Sequence, residues 1–297
     1  MFAPDLAHPH RFVVGIDGSA AARVALEWAA RTAADHGIRL TLVHVVETEA
    51  SRGIAPALQE GAEALLAAAR RDAVAAGLPE DRIEASWSQG RPWEVLTAAA
   101  DDPGDLIVIG ARGDGGYHRH LLGSTADRIV RTAGCPVLTM TPEGIPGGAP
   151  FRRVVVGVDF SSDSDAALDA AMAIVGREGT IIAVHASPPP VVVSDGPVTP
   201  LPDVDIDTLL ADARVAMERR LDQRLPEGMN RVIVASPLYP VHAIEDAVRE
   251  HEGQLVAVGT RGRTGLARLL LGSVSERVLH HVPCPTLVVH GGDAAGA

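Results

Sequence analysis

No lysine occurs anywhere in the 297-residue chain, so all 26 basic side chains are arginine. That absence excludes two classes of chemistry: a Walker A loop needs Gly-Lys-Ser/Thr beneath its phosphates, and a pyridoxal phosphate enzyme needs a lysine for its Schiff base. Cysteine is scarce as well. Cys135 in "GCPVLTM" and Cys284 in "PCPTLVV" both precede proline in apolar runs; they are too few for a disulfide scaffold and read as buried thiols in a reducing cytoplasm. Net positive charge is missing too, and a formal charge of -12 opposes sequence-independent attraction to nucleic-acid phosphates or anionic lipid. The longest charge-free stretch, from Gly179 up to Asp195, is broken by "SPPP" and does not fit a bilayer-spanning helix. The start "MFAPDLAHPHR" lacks the basic and apolar regions of a signal peptide. A cytoplasmic globular protein is expected, with neither nucleic acid nor membrane as partner.

What is present is an internal repeat. "RFVVGIDGS" (11–19) recurs as "RRVVVGVDFS" (152–161), aligning Asp17 with Asp159, and "LIVIGARGDGGYHRHLLGSTADRIVRTAGCPVLTM" recurs as "LVAVGTRGRTGLARLLLGSVSERVLHHVPCPTLVV". Two copies of one domain fill the chain, 1–145 and 146–297, each long enough for its own core. The Gly- and Pro-rich "TPEGIPGGAPF" (141–151) reads as the linker.

Within the first copy, short β-branched runs alternate with Ala-rich segments of helical spacing, giving five strands and four helices, among them a helix from Pro92 and one from Ser124. Such alternation predicts an α/β fold of two tandem doubly wound parallel sheets, covered on both faces, which is why the strands are continuous apolar runs. The second copy differs in a long Pro-rich connection (187–204), read as a lid or a spacer.

The chemistry concentrates in "GARGDGGYHRHLLGST" (110–125), directly after the strand "LIVI". A helix N-terminus presents unpaired N–H groups and a positive dipole end, and glycines let an anion approach that backbone. Ser124 either caps the helix or donates its hydroxyl to a phosphate. The same spacing, Gly-x-x-Gly, nine residues, Gly-Ser, recurs from Gly259. Asp17 and Asp159 end the first strands, beside the crevice of a doubly wound sheet, where a carboxylate can hold a ribose hydroxyl or a phosphate-bound metal; helix capping is the alternative, with Ser19 and Ser161 competing for it. Arg112 and Arg261 face either phosphate or solvent. His118 and His120 lack counterparts in the second copy, while His44 and His185 read as satisfied strand histidines. The segment "GIDGSAAA" after the first strand is no dinucleotide fingerprint, and no G-x-S-x-G elbow or H-E-x-x-H motif is present.

On these residues the chain resembles a tandem universal stress protein. The family's nucleotide signature, G-2x-G-9x-G-(S/T), stands as Gly110/Gly113/Gly123/Ser124 and as Gly259/Gly262/Gly272/Ser273, supported by the first-strand aspartates and the closing Cys-Pro strands. The resemblance implies a Rossmann-like sheet of the adenine nucleotide alpha hydrolase type, order 3-2-1-4-5, with paired domains docked through their last strands. It implies ATP, with Mg where a metal is present. Asp17 and Asp159 would sit by the ribose or metal and backbone near Val45 and Ala186 by the adenine, while the glycines with Ser124, Thr125, Ser273 and Val274 would hold the phosphates. Asp114 in the first copy's loop would repel a triphosphate unless a metal intervened, which favours the second copy's site. The implied function is ATP-dependent regulation in a stress or dormancy response, through an unknown protein partner and with a homodimer as a further option. A slow ATP hydrolase or nucleotidyl-transfer enzyme, and a scaffold that binds no nucleotide, are the alternatives.

Overall fold

The computed structural model describes residues 9–47, 56–112, 122–145, 148–189, 191–192, 199–200, 205–260 and 271–290. The first half runs β1 (Arg11–Gly15), α1 (Ala20–His36), β2 (Arg39–Val46), α2 (Pro56–Ala75), β3 (Ile83–Gln89), α3 (Pro92–Ala99), β4 (Asp105–Gly110), α4 (Ser124–Thr132) and β5 (Val137–Met140). The second repeats the order: β6 (Arg153–Gly157), α5 (Ser162–Val175), β7 (Thr180–Ala186), a minor pair β8 (Val191–Val192) and β9 (Thr199–Pro200), α6 (Ile206–Arg224), β10 (Asn230–Ser236), α7 (Pro240–Glu250), β11 (Leu255–Gly259), α8 (Ser273–His281) and β12 (Thr286–Val289). Local chemistry explains the boundaries. Ser19 caps α1 by accepting from the Ala22 N–H, and Gly37 ends it in the left-handed region at φ 68°. Proline, whose missing N–H costs nothing in a first helical turn, opens α3 and α7.

All ten major strands form one sheet, ordered β10-β7-β6-β11-β12-β5-β4-β1-β2-β3. Each half is therefore the expected 3-2-1-4-5 parallel sheet. The halves join through their last strands, β12 antiparallel to β5 with Leu287 opposite Leu138, and the buried Thr139 hydroxyl donates across the seam to the Thr286 carbonyl at 3.2 Å. Because a strand alternates its side chains, the sheet feeds two cores. Phe12, Val14, Val154 and Val156 join α1, α2, α5 and α6 on one face, and Val13, Val155 and Val256 join α3, α4, α7 and α8 on the other. Each core runs across both halves.

The described part of the linker is packed: Phe151 is fully buried and its ring lies 5.5 Å from that of Trp28, while Gly148, at φ 62°, runs so close to α1 that a Cβ would fall 2.7 Å from the Glu27 carbonyl oxygen. In the connection after β7, β8 and β9 pair antiparallel, Val191 opposite Pro200. Elsewhere the all-arginine composition has a visible use. Arg220 forks onto Asp165 through Nε and Nη2 at 2.7 and 2.6 Å, and Arg224 bridges two carboxylates, Asp169 through Nη1 at 2.8 and 2.6 Å and Asp165 through Nη2 at 2.9 Å, clamping α6 to α5 with the several fixed donors that lysine lacks. Among the described residues no helix is long and apolar enough to cross a membrane.

Both cysteines are free thiols, Cys135 buried and Cys284 half-buried, and burial pushes each up to about 12 from 9.0. Stability that depends on protonated thiols is present below pH 9 and lost as pH climbs toward 12. Iodoacetamide at neutral pH is expected to label neither site in the folded protein and both in urea, read by intact mass. At the seam, Leu138→Ala is expected to cost about 2–5 kcal/mol, seen as a lower urea midpoint, whereas the same change at exposed Leu58 stays within about 0.5 kcal/mol.

Candidate functional site

In the second half, a cavity of ≈ 270 Å³ opens where β6, β7 and β11 end and α8 begins. Six expected residues line it together: Asp159, Ala186, Gly259, Gly272, Ser273 and Val274. Gly262 and Arg261 lie outside the described residues. Pro240 and Ile244 of α7 and Val258 close the cavity's apolar side. The Asp159 carboxylate accepts from the Ser161 N–H at 3.0 Å and hydroxyl at 2.5 Å, and Ser161, not Asp159, caps α5. Asp159 is thus held at the rim of the cavity by the turn at Ser161. His185 turns its Nδ1 to the Val158 carbonyl at 2.7 Å, so that nitrogen is the donor, and its ring packs 4.7 Å from Phe160. It is a satisfied strand histidine, and His44 matches it with a 2.6 Å bond to the Ile16 carbonyl.

Ser273 and Ser124 are not the caps of their helices. The caps are Gly272 and Gly123, and neither helix has a side-chain cap, because glycine brings no side chain to the position. The first α8 backbone bond runs from Glu276 N–H to the Gly272 carbonyl at 2.9 Å, which leaves the preceding N–H groups directed out of the helix at the cavity. With the helix dipole they form a site for negative charge.

The first glycine of each signature has a packing role that spacing alone does not reveal. A Cβ at Gly259 would lie 2.6 Å from the Asp163 backbone, and one at Gly110 would lie 2.9 Å from the Ala21 Cβ. Bare backbone here admits the first turn of α5 or α1 against the end of the fourth strand.

Beneath the second half's cavity is a buried polar group missed from sequence. Thr260 donates its hydroxyl to the Asp163 carboxylate at 3.0 Å and Ser275 donates to the Gly259 carbonyl at 2.5 Å; Asp163, Thr260 and Ser275 are 3%, 5% and 5% exposed. The repeat aligns these with Ala21, Ala111 and Ala126. A position-by-position comparison of the copies carries that signal.

In the first half, Asp17 is exposed and accepts from the Ser19 N–H at 2.9 Å. Val45 is half-buried near the end of β2, and Gly110, Gly123, Ser124 and Thr125 hold places equivalent to the second half's. Gly113, Asp114, His118 and His120 lie outside the described residues. Arg112 lines a different cavity, ≈ 270 Å³ at the seam, with Leu122, His280 and Cys284. Among the described residues no group of three or more His, Cys, Asp or Glu is placed to hold a metal.

Comparisons with known proteins agree on one family. A profile described as the universal stress protein family matches residues 9–140 and again 150–290. The universal stress protein Rv2623 of Mycobacterium tuberculosis is 35% identical over 292 residues, covering 93% of this chain and 95% of its own. Rv2005c of the same organism is 32% identical over 297 residues, covering 94% and 96%. A solved universal stress protein from Archaeoglobus fulgidus superposes with a TM-score of 0.70 at 22% identity, over 96% of this chain and 99% of that one, which speaks for the fold.

The buried Asp163–Thr260 pair generates a coupling prediction. Thr260→Ala alone leaves a buried carboxylate short of a donor and is expected to cost about 1–3 kcal/mol. Adding Asp163→Ala, which reproduces the first half's pair, is expected to recover part of that cost, giving an interaction of about 0.5–3 kcal/mol in a double-mutant cycle read by denaturant unfolding.

Proposed function

The chain belongs to the universal stress protein family, and from that premise we propose that it is an ATP-binding cytoplasmic regulator whose tight site is the cleft of the second half. The observation that carries this reading is the convergence of Asp159, Ala186, Gly259, Gly272, Ser273 and Val274 on one cavity at an uncapped helix N-terminus. The adenine would lie by the Ala186 backbone, the ribose by Asp159, and the phosphates against Gly259, Gly262, Gly272 and the N–H groups of Ser273 and Val274. A divalent ion would arrive on the phosphates, with Asp159 the carboxylate nearest to meet it.

The first half keeps the same frame in Asp17, Val45, Gly110, Gly113, Gly123, Ser124 and Thr125, and we assign it weaker binding, since Asp114 adds like charge to its loop. Regulation is favoured over turnover because the signature residues supply binding groups, while chemistry would need a positioned base and a cation clamp and the sequence nominates no convincing base. Nucleotide binding would act by biasing a surface seen by a protein partner or a second copy of the chain.

Gly272→Asp separates site from fold. Gly272 sits at φ -64°, ψ 148°, open to any L-residue, and aspartate is a favoured N-cap, so the variant should fold at least as well as the parent. Its carboxylate would occupy phosphate space, and like charges about 4 Å apart repel by ~4 kcal/mol at an effective dielectric of 20. ATP affinity measured by calorimetry is expected to fall by about 100-fold or more; unchanged affinity in the folded variant would overturn the assignment. Steady ADP release that scales with protein and disappears in this variant would instead favour a hydrolase.

A further inference from the structure

We infer that Arg131 of the first half is a positioning residue for both nucleotide clefts: it neutralises an acid in the first turn of each signature helix, Asp127 in its own half and, across the seam, Glu276 in the second. The inference rests on the nucleotide reading above and deepens it, since the second cleft's charge balance then depends on a side chain from the other half.

Asp127 is the acid in the first turn of α4, and Glu276 holds that place in α8. Each follows its cap glycine by four positions and Ser124 or Ser273 by three, a spacing that puts side chains on one helix face. Each carboxylate is therefore about one helical turn, ~5.4 Å, from the N–H groups proposed for the phosphates. That is inside the ~8 Å screening length at physiological salt. Left bare, such a carboxylate repels phosphate and competes with it for the positive end of the helix dipole.

Arg131 answers both acids. Its Nε donates to the two Asp127 oxygens at 3.0 and 3.1 Å, and its Nη2 donates to Glu276 Oε1 at 2.8 Å. All three side chains are half-buried, and the rigid guanidinium fork serves two carboxylates where an ammonium would favour one. Arg131 lies in the last turn of α4, so the end of one signature helix meets the start of the other.

The repeat shows that this cation is not duplicated. The offset that aligns Gly123 with Gly272 aligns Asp127 with Glu276 and Arg131 with His280. Both acids recur, whereas the basic position changes type: His280 Nδ1 accepts from the Leu122 N–H at 3.4 Å. Two first-turn acids thus share one arginine.

The test measures ATP affinity by calorimetry on the full chain in two backgrounds, Gly123→Asp to isolate the second cleft and Gly272→Asp to isolate the first. Arg131→Met keeps the apolar stem and removes the charge, and partly exposed ion pairs add little stability, so the variant should fold. It is expected to weaken ATP by about 3- to 10-fold in both backgrounds, with the loss shrinking in about 0.5 M salt. Adding Glu276→Gln should restore the second cleft alone, and adding Asp127→Asn the first alone. Glu276→Gln by itself should tighten the second cleft by about 2- to 5-fold, a gain that loss of structure does not produce; this variant decides the matter should Arg131→Met fail to fold. Unchanged affinity on Arg131→Met in the Gly123→Asp background would overturn the inference. So would a weakening that Glu276→Gln does not relieve, the result expected of a mere seam staple, or no gain from Glu276→Gln alone. An unsubstituted chain that takes up no ATP would overturn the nucleotide reading itself, a result separable because that chain is titrated first.

Discussion

The architecture of each cleft depends on how closely a helix can approach the end of a strand. At Gly259 the first turn of α5 comes so near β11 that no side chain fits, and at Gly110 α1 does the same to β4. With these contacts made, the start of the following helix is tied back to the end of the fourth strand: Gly272 N–H donates to the Thr260 carbonyl at 2.7 Å and Gly123 N–H to the Ala111 carbonyl at 2.8 Å. The helix that follows then starts beside the crevice with its N-terminal donors uncommitted. Close packing and a helix N-terminus without a side-chain cap are two consequences of one choice of residue.

The halves share this frame and differ in what fills it. In the second, Asp163, Thr260 and Ser275 form a buried polar layer under the cleft; in the first, the equivalent residues are alanines. A satisfied polar layer fixes one arrangement more tightly than apolar contacts of similar size, so the second cleft is the better preorganised of the two. The first half packs larger rings, Phe12 of β1 and Trp28 of α1, against one another under the sheet. Since β5 and β12 pair across the seam and both cores are continuous, a change at one of these places is mechanically connected to the others through a single sheet.

Much of the fold was legible because the chain contains its own comparison. The recurrence of "VVVGVDFS" and of the glycine spacing locates equivalent strands, and parallel α/β connectivity follows from alternation of apolar runs with Ala-rich helical spacing. The family resemblance added the strand order and the last-strand docking. The convergence of Asp159, Ala186 and Gly259 was legible from that resemblance, and of the two roles offered for Ser124 the cap is taken instead by Gly123, although serine is the better capper by propensity. The packing of the linker was not legible, because Gly and Pro mark a turn in the sequence whereas a close approach such as that of Gly148 to α1 shows only in three dimensions. The Asp163–Thr260 pair was missed because polar residues near a helix start suggest solvent, and only tertiary contact buries them. The central loops, with Gly113 and Gly262, lie outside the described residues.

The most direct test of the account is the number and strength of ATP sites on the intact chain, obtained by titrating ATP and counting bound nucleotide per chain by native mass spectrometry. One tightly held ATP per chain, with a second entering only at higher concentration, is the predicted result. No saturable uptake, or tight uptake that maps to the first half and leaves the second empty, would contradict it.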